Sequence, residues 1–124
     1  MSMRTPIARV RGLGSAKNGT QHWWMQRLTA IALVPLNVWF VVSVIYLAGA
    51  DHARVAAWLA SPLTAVLMLL LIAATFHHLQ LGLQVIIEDY VHGEAAKIGC
   101  IIGVKLASFA LAVTAGFAVL KVAF

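Results

Sequence analysis

The stretch A-A-T-F-H-H-L-Q-L-G-L-Q-V-I-I-E-D-Y, Ala73–Tyr90, begins deep in an apolar run, carries two adjacent histidines and ends on an acidic pair followed by tyrosine. The run opens at Ser61-Pro62, the pattern of an N-cap followed by proline at the first helical position. From residue 62 to 87 a helix rising 1.5 Å per residue covers about 37 Å, enough to cross a bilayer with some tilt. An imidazole in hydrocarbon is costly, so an ionisable residue inside a span is a functional hypothesis by default.

Working outward, the sequence predicts two further spans, at about 25–48 and 97–122. The first has Trp23 and Trp24 at its edge as interfacial anchors, Thr20 as a candidate cap and Pro35 inside it as a candidate kink. Arg27 lies about one turn in, where it either snorkels to the headgroups or faces inward toward an anionic group. The third carries Gly99, Gly103, Gly116, Ala107 and Ala112, small positions where another helix can come close, and Lys105. The expected class is therefore an all-α membrane protein with three transmembrane helices in a single domain, residues 1–124, whose first part is a cytoplasmic arm at 1–23.

Composition agrees. Of 124 residues, 62% are apolar and 10% charged, with a mean hydropathy of +0.92, whereas soluble domains are about half apolar and a quarter charged. The formal charge of +5 does not indicate nucleic acid, because the basic residues gather in the N-terminal arm rather than along a folded face. Lysine and arginine number five through Arg27, against Arg54 in the first connection and Lys97 beside the second. That bias predicts a cytoplasmic N-terminus and a periplasmic C-terminus, in a bacterial inner membrane. No apolar core of a signal peptide precedes the first span. Cys100 stands alone, which excludes an internal disulfide, and is expected to be a buried, inert thiol.

Helical geometry sorts the central histidines. At about 100° per residue, His78 and Gly82 share a face, with Ala74, Thr75 and Val85 beside them. Asp89 lies about 20° from the direction of His78 and about 16 Å along the axis. His77 points about 100° away, toward Leu70, Ala73, Gln80, Leu81 and Gln84. A buried histidine is either a hydrogen-bonded core residue or one axial ligand of a haem iron, and this pattern alone admits both. A ligating ring would need small flanking residues, which Ala74, Thr75 and Gly82 supply. Zinc finds no cluster of ligands at the right spacing, and no serine or cysteine is paired with a base for nucleophilic catalysis. Three spans without an inverted repeat give no alternating-access transporter.

Two segments carry a resemblance: G-S-A-K-N-G-T-Q-H-W-W-M-Q-R-L-T-A, Gly14–Ala30, and H-L-Q-L-G-L-Q-V-I-I-E-D-Y, His78–Tyr90. The chain resembles the small hydrophobic membrane-anchor subunit of succinate dehydrogenase, often called the D chain, a family of three transmembrane helices. Its signature is a histidine, a glycine four residues on, and Asp-Tyr at eleven and twelve; His78, Gly82, Asp89 and Tyr90 fit it, while His77 misses by one. An arginine followed by Thr-Ala is reproduced by Arg27, Thr29 and Ala30.

The resemblance implies that His78 is one axial ligand of a haem b, the other coming from a partner anchor subunit. Tyr90 would hydrogen-bond a ubiquinone carbonyl with Asp89 near the proton supply, and Arg27 would lie close to the haem propionates. It implies, as partners, a second anchor (cytochrome b) subunit, an iron–sulfur subunit and a flavoprotein subunit, in an enzyme linking the tricarboxylic acid cycle to electron transport. The chain alone would not be catalytic. Other readings are a haem-free structural anchor, or the anchor of a related quinone-linked enzyme such as fumarate reductase.

Overall fold

A computed structural model describes residues 6–7 and 17–124. The basic arm at Arg4, Arg9 and Arg11, and the Gly14–Ala16 start of the first motif, fall outside the described residues. The main elements are four helices: α1 (Lys17–Tyr46), α2 (His52–Ala60), α3 (Pro62–Tyr90) and α4 (Glu94–Ala123). Three are long and apolar enough to cross a membrane, in the ranges Thr20–Tyr46, Pro62–Tyr90 and Glu94–Ala123. The chain is thus an all-α, multi-pass membrane protein.

In hydrocarbon every backbone polar group must find a partner within the chain, and unbroken helices achieve this. Three hydroxyls inside the spans do the same locally. Thr29 Oγ1 bonds to the Met25 carbonyl at 2.7 Å, Ser43 Oγ to Trp39 at 2.8 Å and Thr114 Oγ1 to Ala110 at 2.7 Å, each one turn back. α1 runs through Pro35 as one helix. It ends in a turn where Gly49 takes φ of 79°, a left-handed conformation that suits glycine.

Asp51 then caps α2, its carboxylate accepting from the Arg54 amide at 3.0 Å. This short helix replaces the plain connection expected over residues 49–61. Leu59 of α2 is buried against Val119 and Ala123 of α4, with Val55, Trp58, Met68, Leu69 and Ile72 packed around them. Trp58 also stacks on Trp39 of α1, ring centroids 5.7 Å apart, and Arg54 lies over the Tyr46 ring at 4.9 Å. The helix folds back over one end of the molecule because one face is apolar and the other is not.

Ser61 and Pro62 open α3 as the sequence predicts, although the Ser61 side chain makes no capping bond. α3 runs on through Tyr90, so Asp89 and Tyr90 belong to its last turn rather than to a connection. The amide of Val91 still bonds back to Ile87, and Gln84 reaches Glu88 across one turn at 3.1 Å. Only Val91–Gly93 remain to reverse the chain before α4, whose first turn holds Glu94 and whose last holds Lys121, both favourable to the helix dipole.

α3 is the middle member. It packs on α1 along one side and on α4 along the other, while among the described residues no Cα of α1 comes within 8 Å of one of α4. In the most apolar stretch of each span only 11%, 11% and 6% of residues are buried within the molecule, so much of the apolar surface faces outward. Gly116 is at the α3–α4 seam, where an added Cβ would stand 3.6 Å from Leu69. Gly99 and Gly103 instead face open space.

Two local expectations are corrected. Thr20 lies inside α1 rather than capping it, since the helix begins at Lys17, within the expected arm. Cys100 is exposed, not buried. An outward face that meets lipid is as apolar as a core, and hydropathy does not separate them.

Candidate functional site

α1 enters at the end of the molecule where α3 finishes, which brings Gln21–Ala30 alongside His78–Tyr90. The seam is built from a buried Thr29 on α1 and a partly buried His78 on α3, with Thr29 Oγ1 3.0 Å from His78 Nδ1. One turn along, Gly82 leaves room for Gln26, whose Nε2 would lie 3.9 Å from an added Cβ. The predicted face of His78 and Gly82 is therefore the face turned to α1. The other ring nitrogen of His78, Nε2, makes no hydrogen bond among the described residues and is not sealed by them from the surface.

His77 is on the other side of α3. It lines an apolar groove of about 320 Å³ between α3 and α4, with Ala73, Phe76, Gln80, Phe109 and Gly116. His78 lines neither this groove nor the second cavity. The two adjacent imidazoles thus serve two different seams, as their offset around the helix requires.

The second cavity is a cleft of about 460 Å³ between the first turns of the α1 span and the end of α3. His22, Trp23, Gln26 and Arg27 line one wall, Gln84, Val85 and Glu88 the other. His22 Nε2 and Gln26 Oε1 are buried there without a partner. A polar atom buried without a hydrogen bond costs free energy, so the cleft is suited to a polar or charged group that supplies those bonds. Arg27 is exposed at its rim with its guanidinium 5.1 Å from the centre of the Trp23 ring, a cation–π contact.

Asp89 and Tyr90 are exposed at the same end, Tyr90 at 76%. They line neither cavity. Of the residues singled out in the sequence, the structure brings Arg27 and His78 onto the α1–α3 pair and leaves Asp89 and Tyr90 on its open edge. Sequence reasoning passed over His22, Gln26, Gln84 and Glu88 as cleft residues. Their i, i+4 steps, His22 to Gln26 and Gln84 to Glu88, were the available signal.

Among the described residues no group of three His, Cys, Asp or Glu side chains stands close enough to hold a metal ion. A metal bound through this chain would need donors from elsewhere. One imidazole with a single nitrogen engaged fits a shared haem, to which each of two chains would give one axial ligand.

The sequence pattern of the succinate dehydrogenase/fumarate reductase transmembrane subunits matches residues 1–115. The chain is 34% identical over 105 residues to the succinate dehydrogenase hydrophobic membrane anchor subunit of Rickettsia bellii, covering 85% of this chain and 84% of that one. To the subunit of the same name from Rickettsia conorii it is 32% identical over 104 residues, covering 83% and 82%. To that of Paracoccus denitrificans it is 32% identical over 100 residues, covering 81% and 78%. With three spanning helices and a match across nearly its whole length, the chain belongs to the family of succinate dehydrogenase membrane anchor subunits.

Proposed function

We propose that this chain is the membrane-anchoring subunit of a succinate:ubiquinone oxidoreductase, giving one axial ligand, His78, to a haem b and part of the ubiquinone site. The observation that carries this reading is the state of His78: partly buried at the α1–α3 seam, with one ring nitrogen held by Thr29 and the other without a partner among the described residues. A haem bound there would supply a one-electron reservoir between the donor centres and the quinone, its potential set by ligand and burial.

The chain's own residues do the rest. Arg27 offers positive charge, and His22 through an Nε2–H a hydrogen bond, to carboxylate groups at the surface end of the same seam, while the unpartnered Gln26 Oε1 would accept from a donor bound there. The exposed Tyr90 hydroxyl donates to a quinone carbonyl, stabilising the negative charge that develops on its oxygen, and Asp89 holds or passes a proton beside it. Their exposure suits a site completed by other subunits: a second anchor chain and an iron–sulfur subunit, with a flavoprotein beyond. The end bearing Arg27 and Tyr90 faces the cytoplasm of a bacterium on the lysine and arginine count.

The test is optical. In the purified complex a reduced-minus-oxidised b-type spectrum is expected, lost with His78→Ala and retained with His77→Ala. Because His77 lines the apolar α3–α4 groove, a second reading makes it the ligand, and the opposite pattern of losses selects it. No spectrum in the intact complex leaves a haem-free anchor.

A further inference from the structure

The hydroxyl of Thr29 is crowded by three groups: the Met25 carbonyl at 2.7 Å, the Gln26 carbonyl at 3.1 Å and His78 Nδ1 at 3.0 Å. A threonine hydroxyl has one proton to give and lone pairs to receive. Carbonyl oxygens only accept, so the proton belongs in the 2.7 Å contact with Met25. Turned to the imidazole instead, it would leave two oxygens at that distance with no hydrogen between them. Oγ1 therefore meets the ring with a lone pair, and Nδ1 must carry the hydrogen. In a neutral imidazole the remaining lone pair is then on Nε2, the atom that, among the described residues, makes no hydrogen bond and is not sealed from the surface.

We infer that Thr29 is a positioning residue that holds His78 in its Nδ1–H tautomer and so presents Nε2 as the metal donor. The inference rests on the proposed ligation by His78 and deepens it. Thr29 is well placed for the task. It is buried at 8% exposure, its hydroxyl is anchored to its own helix one turn back, and it belongs to a different span from the histidine. The ring orientation is therefore set by how α1 packs on α3, not by α3 alone. A second partner that fixes tautomer and angle also makes a ligating imidazole more basic, and Thr29 would do this as a neutral acceptor rather than as a carboxylate.

The test uses the intact complex with Thr29→Val, which keeps the branched shape and loses the hydroxyl, Thr29→Ser, which keeps the hydroxyl, and His78→Ala. Loss of such an outer partner costs about tenfold to a hundredfold in metal affinity. Thr29→Val should therefore lose haem that much more readily and shift the paramagnetic resonance of its ferric low-spin haem, while Thr29→Ser matches wild type. A Thr29→Val complex with unchanged haem retention and resonance, alongside loss in His78→Ala, overturns the positioning role and leaves the ligation standing. Haem retained in His78→Ala overturns the ligation itself. The tautomer is read separately from the ring ¹⁵N shifts of His78 in haem-depleted wild-type complex: a protonated Nδ1 with bare Nε2 is expected, and a protonated Nε2 overturns the inference whatever the variants do.

Discussion

Gly82 on α3 faces Gln26 on α1 with space for a methyl group, the added Cβ standing 3.9 Å from Gln26 Nε2. Gly82→Ala is therefore expected to be accepted, with up to about 1 kcal/mol gained in helix propensity. Gly82→Leu must push Gln26 aside and spread the seam at which Thr29 meets His78. Thermal stability and the haem spectrum of the purified complex check this: the alanine variant should keep both, the leucine variant should lose haem first.

Tyr90→Phe should leave the fold of this chain intact, because a side chain 76% exposed, with no hydrogen bond among the described residues, contributes little to it. Quinone reduction should fall while succinate oxidation with an artificial electron acceptor persists. If both activities fall together, Tyr90 acts through assembly and its place at the quinone is lost.

Leu59→Ala removes the centre of the small cluster that ties α2 to α3 and α4. A buried leucine cut to alanine costs about 2–5 kcal/mol, and this site belongs near the lower figure because its surroundings are thinly packed. Melting of the complex in detergent should fall, with the haem spectrum unchanged, since the cluster is at the far end from His78.

Asp51→Ala removes the acceptor for the Arg54 amide at the start of α2. The cost is about 1 kcal/mol. It should show as faster hydrogen exchange in residues 52–60 without loss of the three spans.

The three spans were legible because length and hydropathy of a crossing helix are properties of local sequence. The assignment of His78 and His77 to different faces was legible too, from the angle between successive residues on α3. The bond from Thr29 to His78 was not, since it joins residues 49 apart and depends on the rotation of α1 against α3. Cys100 was misread for a related reason: around a spanning helix, the side toward lipid and the side toward protein share one composition. α2 escaped notice because nine residues with a single buried leucine give a weak signal within a connection.

Because α1 and α4 stay apart, the three spans form an open row instead of a closed triangle, and its middle helix can be approached from either broad side. A neighbour at the α1–α3 cleft would meet Trp23 and Arg27, and one at the α3–α4 groove would meet His77 and Phe109. Such a chain is less a self-contained body than a partition wall, with a separate tenant possible on each side.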